Sequence, residues 1–226
     1  MSELRIISLV PSVTETLSAW GCTPIACTRF CERPDLPRVG GTKNPDIKRI
    51  IELAPDLVVL DAEENRLEDH DQLVDHKIAV HVLHVLSLAD VNPSMSSLAD
   101  RVGAQWRQIT LASAIPSRAR AFIPIWRRPW MALGTPTYGS SILNHLGITN
   151  IFDGEGSYPA VDLEEVARRT PDVILAPSEP FPFAVRHVAE LEKVAPTMLI
   201  DGQDLFWWGV RTPEALMRLE RNLETL

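Results

Sequence analysis

Glu63 and Glu179 occupy matching places in a repeated pattern, each just beyond a short, wholly apolar run. Two carboxylates so placed can bind a cation, dock a partner, or serve as acid and base; as solvated loop acids they do none of these. Glu64 and Arg66 lie beside Glu63, where the arginine is positioned to neutralise it. Gly40-Gly41-Thr42-Lys43 lets backbone approach a ligand and adds a cation, or is a plain turn; it lacks the spacing of a phosphate-binding P-loop. Cys31 is either a reactive thiol or a small buried apolar group. Cys31, Lys43, Glu63 and Glu179 are therefore the candidates for any catalysis. Ser12 and Ser140 sit where helices open, so the free N–H groups there suit a carboxylate or phosphate. The alternative is that both serines are only caps.

The aromatic residues include six tryptophans. Phe206-Trp207-Trp208 reads as a loop after Ile200-Asp201, with one indole packed inside and the other facing a ligand. Trp126 and Trp130 share a face if extended, and flat aromatic walls suit a large planar or apolar ligand. Trp20 and Trp106 read as core. The ligand-binding set is thus Ser12, Thr42, Lys43, Glu63, Glu64, Arg66, Trp130, Tyr138, Glu179, Phe181, Trp207 and Trp208. No metal site is expected: there is no Cys-x-x-Cys, and His81 and His84 lie an odd number apart in an apparent strand, so they point oppositely. Cys27 and Cys31 share a face only if helical, and Pro34 and Pro37 follow closely. The absence of Gly-x-Ser-x-Gly argues against a serine hydrolase.

The elements that position these residues come in two copies. Asp46 and Asp162, Pro55 and Pro171, Asp56 and Asp172, and Glu63 and Glu179 each differ by 116 positions. Each copy reads as a helix with Asp at its N-cap, a Pro-Asp stop, and a strand buried on both faces of a parallel sheet. Ile47, Ile50 and Ile51 fall on one helical face, as do Leu163, Val166 and Ala167. A strand-helix unit precedes each copy: residues 6–10 and 13–20 ending at Gly21, then 130–133 and 140–146 ending at Gly147, with glycine at C′. The expected fold is α/β: two Rossmann-like lobes with mostly parallel sheets, 1–86 and 124–226, joined by a helical segment over 87–123 that bends or breaks at Gly103 or Pro116. Parallel sheets bind ligands beyond the carboxyl ends of their strands. The loops 11–15, 61–66, 135–141 and 177–183, with 40–45 and 201–209, then line one cleft between the lobes.

Composition narrows the partners. The 226 residues are 45% hydrophobic and 23% charged, as in ordinary globular chains. The net charge of −8 argues against a general nucleic-acid or anionic-membrane surface. No apolar run approaches the roughly 20 residues that span a bilayer. Behind Met1-Ser2-Glu3, the run Leu4-Arg5-Ile6-Ile7-Ser8-Leu9-Val10 is too short for a signal-peptide core and reads as a first strand. Together with three cysteines read as reduced thiols, this gives the expectation of a cytoplasmic protein.

Arg5-Ile6-Ile7-Ser8-Leu9-Val10-Pro11-Ser12-Val13-Thr14-Glu15, with segments 46–60 and 158–175, resembles the vitamin-B12-binding periplasmic protein family. This is the helical-backbone class of ABC-transporter receptors, which also includes siderophore and haem receptors. The resemblance covers nearly the whole chain and implies two α/β lobes, one long joining helix, and a cleft for a corrinoid (cobalamin included) or metal chelate. It also implies permease docking through one surface glutamate per lobe, but Lys48 and Gly209 stand at those positions. The cleft tryptophan of the family's first lobe is matched by Thr42 or Lys43, whereas Trp207 matches a second-lobe cleft aromatic. Three readings follow: a cytoplasmic, non-enzymatic binding protein; an enzyme repurposed on the same scaffold; and an exported receptor whose signal lies outside this sequence.

Overall fold

A computed structural model describes residues 4–226. Met1-Ser2-Glu3, on which the reading of the chain's start partly rests, lie outside the described residues. The repeat is visible down to single hydrogen bonds. Asp56 Oδ2 accepts the Arg5 N–H at 2.8 Å, and Asp172 Oδ2 accepts the Arg120 N–H at 2.7 Å. Each arginine then turns its guanidinium to carbonyls at the preceding helix end, Arg5 to Leu53 and Ala54, Arg120 to Thr170. Ala54 and Thr170, the residues before each proline, both adopt positive φ, 44° and 50°. Each Pro-Asp therefore stops a helix and also ties the next strand to its neighbour.

The first unit comprises the described residues up to Val85, with Ala89–Ile109 and Trp208–Arg211. Its strands β1 (Ile6–Ser8), β2 (Ala26–Cys27), β3 (Leu57–Asp61) and β4 (Val80–Leu83) form one parallel sheet in the order β2-β1-β3-β4. Helices α1 (Pro11–Ala19), α2 (Ile47–Glu52) and α3 (Leu67–Asp75) connect the strands, and α4 (Leu88–Val102) follows β4. One core cluster gathers Ile7, Leu9, Val39, Ile50, Val58, Leu60 and Leu73.

In the second unit β5 (Ala119–Phe122), β8 (Ile148–Asn150), β10 (Val173–Pro177) and β11 (Thr197–Ile200) form a parallel sheet in the order β11-β10-β5-β8. Counted by appearance within the unit, the order is the same as in the first. A small antiparallel sheet of β6 (Pro124–Trp126), β7 (Trp130–Ala132) and β9 (Ala160–Val161) is added. The helices are α5 (Tyr138–His145), α6 (Leu163–Arg168), α7 (Val185–Leu191), α8 (Gly202–Phe206) and α9 (Thr212–Leu223). Along α9, Thr212, Ala215, Leu219 and Leu223 are buried at helical spacing, and Arg218 grips Asp204 of α8 through two bonds at 2.7 and 2.6 Å.

Several local expectations hold. Asp46 accepts the Arg49 N–H at 2.9 Å and Asp162 accepts the Glu165 N–H at 2.7 Å, so both aspartates cap their helices. Gly21 and Gly147 end α1 and α5 at φ 76° and 78°, a conformation a Cβ penalises.

Others are corrected. The apolar run 130–133 is not the second unit's first parallel strand; that role belongs to Ala119–Phe122, and Trp130–Ala132 lies in the antiparallel sheet. The segment 87–123 is helical only over Leu88–Val102, where Gly103 ends the helix at φ 73°; residues 104–118 are irregular before β5 begins. Neither Ser12 nor Ser140 is a cap. Val10 precedes α1 without a side-chain cap, and Thr137 caps α5 by accepting the Ser140 N–H at 3.3 Å. Finally, residues 202–206 form helix α8 rather than loop, with Trp207 at its end.

Removing a cap oxygen costs a helix about 1 kcal/mol. Asp46→Ala and Asp162→Ala should each lower stability by about that amount in urea denaturation. The double variant should lose about the sum, because the two caps lie in different units.

Candidate functional site

In the first unit the carboxyl ends of the strands carry most of the ionisable chemistry. Asp61, the last residue of β3, is 1% exposed. Its Oδ1 accepts the Glu63 and Glu64 N–H groups at 2.9 and 3.3 Å, while its Oδ2 is buried with no hydrogen-bond partner. Asn65 locks the turn: its Oδ1 accepts the Asp61 N–H at 2.9 Å and its Nδ2 donates to Thr42 O at 2.9 Å, joining loop 61–66 to loop 40–45. Lys43 donates to Glu63 O, and His84 Nε2 stands 3.8 Å from Glu63 Oε1.

Burial pushes the Asp61 carboxyl up to about 6; the Glu63 charge adds to the rise, while the two backbone N–H bonds and His84 oppose it. Arg66 does not neutralise Glu63. It is spent on Asp69, with bonds at 2.9 and 2.8 Å.

Further along the same edge, Cys31 Sγ lies 3.1 Å from Thr14 Oγ1 and 3.3 Å from Thr28 Oγ1, in a turn rather than on a helix. Ser12 is buried at the start of α1. Phe30 is 53% exposed, with the Arg29 guanidinium 4.8 Å from its ring centre. Gly41 leaves room for that guanidinium, since a Cβ there would stand 3.2 Å from Arg29 Cζ.

In the second unit Glu179 follows β10 as Glu63 follows β3. Its Oε1 accepts the Trp207 indole N–H at 2.6 Å, and Gly202 packs so closely that any Cβ there would strike Glu179. Trp207 and Trp208 are both buried, at 7% and 4% exposure, so the expected division into one inner and one outer indole does not hold. Tyr138 is buried with its hydroxyl 3.1 Å from Thr212 Oγ1, and burial raises its pKa. Trp130 stacks on Phe183 at 6.0 Å and 5°, while Phe181 meets Phe183, His187 and the half-exposed Trp126. These rings pack on the second core, so Trp130 and Phe181 have a structural role beside any contact with a ligand.

A cavity of about 300 Å³ opens in the second unit among Thr135, Thr137, Ser140, Ser141, Asn150 and Asp153. It draws on the predicted loop 135–141 and on Ser140, offered above as a place for an anion, but none of the residues of the predicted ligand-binding set lines it. Its walls are hydroxyl-rich, and Asn150 is held by Leu133 O and Ser140 Oγ at 2.8 and 3.1 Å.

The structure thus brings Thr42, Lys43, Glu63, Glu64 and Arg66 to one edge with Cys31, and Glu179 to Trp207. The sequence reading named the loop 61–66 without singling out Asp61, weighed His84 only as a metal ligand, and missed Phe30. Asp61 ends an apolar run and stood as a signal; the other two had none. Lys48 is exposed on α2, but Gly209 is buried against Thr16, so a position matched to a surface glutamate is an interior one. Among the described residues no group of three His, Cys, Asp or Glu side chains is placed to hold a metal ion, and no helix is long and apolar enough to cross a membrane.

An ionised carboxylate that cannot be fully solvated destabilises a fold. Because Asp61 has its folded pKa raised, its cost is absent at low pH and grows as pH rises from the unfolded value through about 6. Asp61→Asn should therefore stabilise the protein above pH 6 by roughly 2–3 kcal/mol at most, at about 1.4 kcal/mol per pKa unit. The gain should vanish near pH 4, as read by urea denaturation at the two pH values.

Comparison with known proteins accords with this architecture. No protein-family model matches the chain. The vitamin B12-binding protein of Pectobacterium carotovorum subsp. carotovorum is 26% identical over 239 aligned positions, spanning 96% of this chain and 86% of that protein. Among solved structures, the periplasmic vitamin B12-binding protein BtuF of Vibrio cholerae superposes with a TM-score of 0.78 at 20% identity, over 98% of this chain and 96% of that one. The periplasmic heme-binding protein BhuT, solved with two hemes, gives 0.80 at 18% identity over 99% of both. The fold is that of the periplasmic binding proteins, and the chain is similar to the vitamin-B12-binding group within it.

Proposed function

We propose that this protein binds a corrinoid, a haem or a comparable metal chelate, with the loops at the carboxyl edge of the first unit's parallel sheet supplying contacts. The observation that carries the reading is the similarity to a vitamin B12-binding protein across 96% of the chain. The chemistry of the first edge supports it. Exposed Phe30 offers a flat apolar face, Lys43 and His84 offer donors, and Glu63 and the unpartnered Asp61 oxygen offer acceptors. A large ligand with an apolar ring and polar side groups needs that mixture.

A second reading, an enzyme on the same scaffold, is favoured by two perturbed groups on one edge, Asp61 and Cys31. Lys43 and Glu63 stand on that same edge, and Glu179 is the corresponding acid of the second unit. Recovery of a chemically altered ligand after incubation would establish it. Permease docking through residues 48 and 209 is no part of the proposal, since one is cationic and the other buried. A reducing, cytoplasmic setting is proposed on the free thiols Cys22, Cys27 and Cys31, and fractionation of native cells decides it.

The central test is titration of the protein with cyanocobalamin and, separately, with haemin, followed by ligand absorbance and tryptophan fluorescence. We expect saturable one-site or two-site binding of at least one. Phe30→Ala and Lys43→Ala should each weaken it several-fold without altering thermal stability. Absence of saturable binding to both ligands would remove this ligand class.

A further inference from the structure

Two cysteines of the first unit share one cation. Cys27 ends β2, and Cys31 follows in a turn closed by its own N–H on Thr28 O at 3.2 Å. Arg38 Nη1 lies 3.0 Å from Cys27 Sγ and also donates to the Thr28 and Cys31 carbonyls at 2.7 and 3.2 Å, which holds the strand end and the turn together. The Cys31 sulfur stands 3.3 Å from the Thr28 hydroxyl, and Cys27 and Cys31 lie close enough that each shifts the other's ionisation. The Thr14 hydroxyl donates to Val10 O at 3.1 Å, and its oxygen also lies 3.1 Å from that sulfur. Both thiols are buried, and neither is in a disulfide. Hydroxyl groups within hydrogen-bond reach of one sulfur can turn their hydrogens toward it once it ionises, and with a guanidinium beside its neighbour they stabilise a thiolate.

We propose that Cys27 and Cys31 form a peroxide-reactive dithiol, in which Cys31 is the attacking sulfur and Cys27 the resolving one. The Cys31 thiolate attacks one peroxide oxygen. The O–O bond breaks, Cys31 becomes a sulfenic acid, and the hydroxide released takes a proton from solvent. The Cys27 sulfur then attacks the sulfenic sulfur. An S–S bond forms, and the hydroxyl leaves with the Cys27 proton as water. Two electrons pass from the dithiol to the peroxide. Hydrogen peroxide is the oxidant that burial favours: Cys31 is 4% exposed, which suits a reagent the size of water better than a bulky disulfide.

The bonds from Cys27, Thr14 and Thr28 outweigh burial and bring the Cys31 thiol down to about 6, while the bond to Cys31 and burial push Cys27 up. The charged groups acting on the pair are Arg38 and Arg33, the latter itself paired with Asp35 at 2.7 Å. The proposal is independent of what the protein binds.

The test is treatment of the reduced full chain with hydrogen peroxide, read by thiol titration, intact mass and peptide mapping. The expected result is loss of two of the three thiols, a mass lower by two hydrogens, a Cys27–Cys31 link with Cys22 still reduced, and full reversal by dithiothreitol. The rate should climb as pH rises through about 6 and then level off. Cys27→Ser should stop at a Cys31 sulfenic acid that dimedone traps. Retention of all three thiols in the wild-type chain, under conditions that oxidise glutathione, overturns the proposal. So does addition of oxygen to Cys31 without a disulfide. Both of these outcomes are measured on the unaltered protein, so neither depends on a variant folding.

Discussion

A strand buried on both faces can offer chemistry only at its ends, and this constraint organises the whole molecule. β3 and β10 are buried along their full length and are flanked by parallel neighbours on both sides. Their side chains are committed to the two cores, so reactive groups must stand in the first residues past the carboxyl ends. Glu63 and Glu179 stand there, as do Asp61 at the last strand position and Trp207 against Glu179. The Asp56 and Asp172 anchors secure the opposite ends of the same strands. With stability held at one end, the other is free to carry groups that cost it, and Asp61 is such a group.

The two units share a strand order yet have diverged at this edge. The residue equivalent to Asp61 is Pro177, which can neither ionise nor donate from its backbone. The first unit thus concentrates titratable groups: Asp61, Glu63, His84, Lys43 and the cysteine pair. The second instead places hydroxyls around a cavity and stacks aromatic rings on its small antiparallel sheet. That division is a property of the side chains rather than of the shared fold.

How much of this the sequence revealed follows from the range of the forces involved. The Asp caps, the glycine helix ends and the Pro-Asp stops are local, each decided within about four residues, and all were legible. The duplication added the two-unit α/β architecture with parallel sheets, but not the strand order within each sheet. The second unit's first strand was misplaced because 130–133 is as apolar as a buried parallel strand, and burial alone cannot tell an inserted antiparallel strand from a central one. Arg66 was assigned to Glu63 by proximity in sequence, yet helical spacing puts it one turn from Asp69, a pairing that capping geometry favours. The pairing of Cys31 with Thr14 and the approach of His84 to Glu63 are long-range, and no local pattern encodes them.

Asp61 and Cys31, both on the first unit's carboxyl edge, share a physical logic. Asp61 is buried with one oxygen unmet, and Cys31 is buried yet favoured as its anion. Left alone, each would be a liability: an unmet buried acceptor costs roughly 1–3 kcal/mol, and a low-pKa thiol invites oxidation. Both stand on one edge, beside loops that Asn65 and Arg38 hold in place by bonds to backbone carbonyls, so the groups are kept in fixed positions. The rigidity matters as much as the groups. Groups fixed in place lose little ordering entropy when they meet a partner, so a few well-aimed polar contacts are enough for selectivity.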